Sequence, residues 1–155
     1  MRVLGVDLGR KRIGLAISDA SGTLARPLET VSVGQFGKLN DVVERVLAIV
    51  ARLGAEEDGL AAIVVGMPRR LDGSITDETL RTEAFIDALR KRALVPVVEQ
   101  DERLTSREAE SLLAARERDW QKRKQSLDAA SAAVILQDYL DHRARERQAD
   151  PSEGA

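Results

Sequence analysis

Two runs of aliphatic residues, Val3 to Leu8 and Ile13 to Ser18, flank Gly9-Arg10-Lys11-Arg12, and this spacing predicts a hairpin with a glycine in its turn. A third extended run, about Thr23 to Val33, follows Ser21-Gly22. The period then changes: Leu39, Val42, Val43, Val46, Leu47, Val50 and Leu53 recur every three or four positions, the pattern of an amphipathic helix stopped by Gly54. Leu60 to Val65 is continuously apolar and ends at Gly66-Met67-Pro68, as a strand covered on both faces does.

Beyond the polar loop Arg69 to Ser74, a helix is predicted from Thr76, with Asp77 and Glu78 in its positive first turn and Leu80, Ala84, Phe85, Ala88 and Leu89 turned inward. Val95 to Val98 reads as a further buried strand. Thr105 and Glu108 have capping-box spacing and open another helix through Leu112 and Leu113. Arg116 to Gln125 is charged and reads as a loop, and Ser126 can cap a last helix running through Leu140. Arg143 to Ala155 holds no large apolar residue and is expected to be a flexible polar tail. The order β-β-β-α-β-α-β-α-α predicts one α/β domain over residues 1–142, a mixed five-stranded sheet with helices on both faces.

A length of 155 residues fits that single domain. The longest apolar run, Leu60 to Met67, is far short of the ~20 residues of a membrane span, so no membrane association is expected. No charged and hydrophobic leader precedes the first strand, and there is no cysteine, which together favour a reducing cytoplasm. A formal net charge of -2 excludes a uniformly basic nucleic-acid binder. The single histidine, His142, argues against a Ser/His/Asp triad or a multi-histidine zinc site. Catalysis by this chain would have to rest on carboxylates.

Three places supply them. Asp7 interrupts a strand whose other residues suit burial, and the same face carries Val3 and Gly5, with Gly14, Ala16 and Ser18 on one side of the pairing strand. These small residues leave room for a ligand or for backbone beside the acid, while the structural alternative is an aspartate closing the turn through backbone N–H groups. Asp101-Glu102 stands at the carboxyl end of a buried strand, where open α/β sheets place their ligands, and parity alone does not choose between the two acids. Asp128 lies in the first turn of the last helix, in line with Ala132, Ile135 and Tyr139 on a largely apolar stripe, where it also complements the helix dipole. Three acids facing one core repel one another unless cations compensate them, and oxygen-only donors select Mg²⁺ or Mn²⁺.

Basic residues adjoin each acid: Arg10, Lys11 and Arg12 in the hairpin turn, Arg69 and Arg70 after a strand, Arg103 beside Glu102, and Lys122, Arg123 and Lys124 before Asp128. Singly they are ordinary solvated charges, but together they suit a phosphodiester backbone held near metal-binding acids. Phe36, Phe85, Trp120 and Tyr139 are the only aromatic residues, so backbone recognition is expected rather than extensive base stacking.

Four segments, in order, carry a more specific signal. They are Gly5-Val6-Asp7-Leu8-Gly9-Arg10-Lys11-Arg12-Ile13-Gly14-Leu15-Ala16, Val65-Gly66-Met67-Pro68 with Asp72-Gly73-Ser74, Asp101-Glu102-Arg103-Leu104-Thr105-Ser106, and Ser126-Leu127-Asp128-Ala129-Ala130 through Ile135-Leu136-Gln137. This set resembles the YqgF/RuvX family, the Holliday-junction-resolvase-like nucleases of bacteria. The resemblance implies an RNase H-like fold and a cytoplasmic nuclease, monomeric or homodimeric, that matures the 5′ end of pre-16S rRNA, with resolution of branched DNA as the related activity. In related resolvases an acid commonly ends the strand beside the first, whereas here that strand ends in Gly66-Met67-Pro68. An acid one strand further out would have to reach about 10 Å if two strand spacings intervene, which makes the longer Glu102 the expected metal ligand with Asp7 and Asp128, and Asp101 the reserve. Two other classes share parts of the pattern. Actin and sugar-kinase domains have a similar hairpin but close two such domains around ATP, and a non-catalytic RNA-binding assembly factor would keep the basic loops and make the acids structural.

Overall fold

Alternation in Arg2–Leu8 puts one set of side chains on each face of a strand, and in the computed structural model both faces are covered. The structure describes residues 1–33, 38–68, 72–101 and 120–149, with side chains of the last stretch described from Asp128 onward. Strands β1 (Arg2–Leu8), β2 (Arg12–Ser18) and β3 (Ala25–Ser32) form an antiparallel meander. Helix α1 (Leu39–Ala55) leads to β4 (Leu60–Met67), and α2 (Asp77–Arg92) leads to β5 (Val97–Asp101), both strands parallel to β1. A long helix, α3 (Trp120–Ala149), completes the described elements. The sheet order is β3-β2-β1-β4-β5, the mixed five-stranded arrangement expected from the sequence.

Leu4, Val6, Ile13, Leu15, Ile63 and Val65 face α1 and α2 and form the larger core. Val3, Ala16, Ala62 and Val64 face α3 and pack on its Ala132, Ile135, Leu136 and Leu140. The α3 face is lined by small residues, and there the helix comes unusually close. A Cβ added to Gly5 would lie 2.9 Å from the Leu136 Cβ, and one added to Gly14 would lie 1.9 Å from the Asp128 carbonyl oxygen. The space above Gly5 and Gly14 is therefore taken up by α3.

Several boundaries differ from the sequence expectation. Helix α1 runs through Gly54 to Ala55, because its end is set by Arg2 rather than by a glycine. The Arg2 guanidinium donates to the carbonyls of Leu53 at 3.1 Å and Gly59 at 3.2 Å, and Gly59, at φ +60°, makes the turn into β4. In α2 the inward stripe is Thr79, Thr82, Phe85, Ile86 and Leu89, while Leu80 is 56% exposed and Ala84 is also exposed. Thr79 is drawn inward because it closes a capping box with Thr76 and donates its hydroxyl to the Pro68 carbonyl at 2.5 Å. Helix α3 is already formed at Trp120, before Ser126, and extends to Ala149, past the expected start of the tail at Arg143. Both extensions are rich in Lys, Arg, Gln, Glu and Ala, strong helix formers that need no apolar face. The helix predicted from Thr105 lies outside the described residues. No helix among the described residues is long and apolar enough to cross a membrane.

The glycine contacts give a paired test. Gly14→Ala forces α3 away from the sheet and is expected to cost about 3 kcal/mol in urea unfolding. Gly54→Ala meets no atom within 4 Å and is expected to stabilise by about 0.5–1 kcal/mol. Equal effects at the two positions would refute the close approach.

Candidate active site

Strand β1 is flanked by an antiparallel neighbour on one side and a parallel one on the other, and Asp7 lies near its carboxyl end. The carboxylate is half-buried, on the face of Val3 and Gly5, and Asp7 is in register with Gly14. Since the Asp128 carbonyl sits against Gly14, the close packing of α3 brings the second acid into the neighbourhood of the first. Because α3 begins at Trp120, Asp128 lies more than two turns into the helix and not in its first turn as the sequence suggested, and it is this interior part of the helix that packs against the end of β1.

Asp128 is held by a charge-assisted hydrogen bond. Arg12 Nε donates to its Oδ2 at 2.7 Å, with the two side chains 26% and 28% exposed. The arginine expected to grip phosphate therefore has one donor committed to a site acid. Arg10 reaches Glu78 Oε1 at 3.3 Å, but both side chains are more than half exposed, so this pair is weak and solvent-screened. Lys11 is exposed at the turn. Arg81, which carries no motif or pattern that singles it out, donates from Nη1 to the Gly9 carbonyl at 2.8 Å and ties the hairpin turn to α2.

Asp101 ends β5 in register with Met67, whose side chain lies in the core under α1 and α2. Strand alternation thus places Asp101 with Val97 and Glu99 on the face opposite Asp7. Glu102, Arg103, Arg69 and Arg70 lie outside the described residues. Lys122, Arg123 and Lys124 fall in the first turns of α3. His142, far along α3, pairs with Glu146 at 3.2 Å. Among the described residues no three acidic or histidine side chains converge on one point. Two carboxylates without sulfur or imidazole suit a hard divalent cation.

The sequence model of the RuvX family, described as Holliday junction resolvase, matches residues 1–142. A Geobacillus thermodenitrificans relative named "Putative pre-16S rRNA nuclease" is 40% identical over 145 residues, covering 91% of this chain and 98% of its own. A Pelotomaculum thermopropionicum relative of the same name is 38% identical over 148 residues, covering 96% and 92%. Among solved structures, Thermus thermophilus RuvC aligns over 94% of this chain and 97% of its own with TM-score 0.55 and 19% identity. The fowlpox virus Holliday junction resolvase aligns over 92% and 99% with TM-score 0.58 and 12% identity. The fold is RNase H-like, as the sequence resemblance implied.

If the Arg12–Asp128 bond orders the site, a double-mutant cycle with Arg12→Ala and Asp128→Ala is expected to give a coupling of about 1 kcal/mol in urea unfolding. Additive effects would mean that the pair is not formed in solution.

Proposed function

This chain belongs to the RuvX family, and from that premise we propose that it is a metal-dependent nuclease hydrolysing phosphodiester bonds during maturation of the 5′ end of pre-16S rRNA, in the cytoplasm. The observation that carries the reading is that the Asp128 backbone packs on Gly14, the register partner of Asp7, near the carboxyl end of the central strand. The rRNA substrate is supported by the name shared by relatives at 38–40% identity over nearly the whole chain.

In this reading Asp7, Asp128 and Glu102 hold Mg²⁺ or Mn²⁺. When bound, the cation activates water for attack and offsets charge on the scissile phosphate. Glu102 is preferred to Asp101 because Asp101 falls on the face opposite Asp7. Arg12 fixes the Asp128 carboxylate in one orientation through the 2.7 Å bond. Arg81 holds the hairpin turn on which Asp7 depends. Arg10, Lys11, Arg69, Arg70, Arg103, Lys122, Arg123 and Lys124 contribute positive charge for the nucleic-acid backbone, sequence-independently. A second reading, cleavage of branched DNA, draws support from the description of the family model.

The test is cleavage of a 5′-labelled rRNA precursor, beside a four-way DNA junction, with Mg²⁺, Mn²⁺ or chelator. Cleavage of the precursor alone is expected, and junction cleavage alone would move the assignment to DNA. Asp7→Asn is expected to abolish the cleavage while leaving the protein folded. Glu102→Gln is expected to remove activity and Asp101→Asn to retain most of it. Parental rates in all three variants would leave a nucleic-acid-binding factor without a nuclease centre.

A further inference from the structure

At the opposite end of α3 from Asp128 is a cavity of about 330 Å³ between that helix and the β2–β3 turn. Its floor includes the buried side chains of Val3 and Leu140. Leu140, Arg143, Ala144 and Arg147 also line it, spaced as one face of a helix. Neither Arg143 nor Arg147 makes an ion pair among the described residues, whereas the neighbouring His142 and Glu146 pair with each other. The acid in the lining, Asp141, accepts a hydrogen bond from Gln137 Nε2 at 2.9 Å. Two arginines thus meet one carboxylate, leaving an excess of positive charge above an apolar floor.

The walls are set without a ligand. The Asp19 carboxylate accepts from the backbone N–H groups of Thr23 at 2.8 Å and Leu24 at 3.0 Å and from the Ser21 hydroxyl. These bonds, the Ser21 hydroxyl foremost, lower its pKa to about 2. Gln137 fastens the turn to α3, accepting from Ala25 N at 2.8 Å and donating to the Thr23 carbonyl at 2.9 Å. A preformed cavity of this kind spends little free energy on ordering when it is filled.

We propose that this cavity is a second nucleotide-binding site, taking one nucleotide of the nucleic-acid substrate with its phosphate on Arg143 and Arg147 and its base over Val3 and Leu140. A bare phosphate would leave most of the volume and the apolar floor unused. The inference rests on the nuclease reading for its substrate, and it makes α3 a ruler. Asp128 and Arg143 are fifteen residues apart on one helix, about 22 Å at 1.5 Å per residue. At about 3.4 Å per stacked nucleotide, the two sites would engage positions some six or seven nucleotides apart.

The test uses the full chain and reads binding in chelator, so that it decides whether or not the protein cleaves. Probes are a fluorescent 12-nucleotide RNA, adenosine 5′-monophosphate and inorganic phosphate. The double variant Arg143→Ala/Arg147→Ala is expected to bind the 12-mer about tenfold more weakly, with a salt slope shallower by about 1.4, two single-strand contacts at about 0.7 each. Adenosine 5′-monophosphate is expected to shift the amide resonances of the β2–β3 turn and the end of α3, and inorganic phosphate to shift them less. Arg145→Ala, a change on the same stretch of helix outside the cavity lining, is expected to have a smaller effect than Arg143→Ala or Arg147→Ala. An unchanged 12-mer affinity and slope would overturn the proposal, as would an Arg145→Ala effect equal to the others, which would indicate diffuse charge. Loss of adenosine 5′-monophosphate binding with unchanged 12-mer binding would also overturn it, by making the ligand a free nucleotide.

Discussion

The structure depends on one contact between backbones. At Gly14 the sheet has no side chain, and the carbonyl of Asp128 occupies the space that a Cβ would need. Because Gly14 is in register with Asp7, this approach decides where the Asp128 segment of α3 sits relative to the end of β1. A larger residue at Gly14 would lift the helix and separate the acids before any change to either. Gly5 repeats the device further along β1, where Leu136 packs down on it. The small residues of this face do for the site what the large aliphatic residues of the other face do for stability.

Charge is then distributed around that contact in two ways. Partly buried charges are tied: Arg12 to Asp128 at 2.7 Å, Arg81 to the Gly9 carbonyl at 2.8 Å, and Arg2 to the end of α1. Such bonds fix geometry, because the groups they join are shielded enough for a charge-assisted bond to hold its direction. Exposed charges such as Lys11, and Arg10 with its weak, screened pair to Glu78, have no comparable restraint, and in the proposed function they would act through their field on a nucleic-acid backbone. Burial therefore separates Arg12, tied to Asp128, from the exposed Lys11, although the two residues are adjacent in sequence.

Much of this was legible in the sequence, and the exceptions have physical causes. The strands and their order could be read because aliphatic runs and turn residues alternate cleanly, and the small-residue face of Asp7 could be read from period-two alternation. The choice between Asp101 and Glu102 could not, since the face of a strand end depends on register with β4, which only pairing sets. Hydropathy misread both ends of α3, where charged residues with high helix propensity look like loop. It also misplaced the α2 stripe, because Thr79 is buried where its hydroxyl bonds the Pro68 carbonyl and Thr82 is buried with it, while Leu80 points away from the core. Arg81 gave no signal at all: its partner is a carbonyl 72 positions away in the chain.

The central claim is that Asp7 and Asp128 form the two described corners of one cation site. Paramagnetic Mn²⁺ tests it directly, because amide resonances near the bound ion broaden regardless of substrate or turnover. Titration of the isotopically labelled protein is predicted to broaden first the amides around Asp7, Gly14 and Asp128, on both sides of the helix–sheet contact, and to lose that pattern in Asp7→Asn. Broadening centred elsewhere, or the same pattern in Asp7→Asn, would contradict the account.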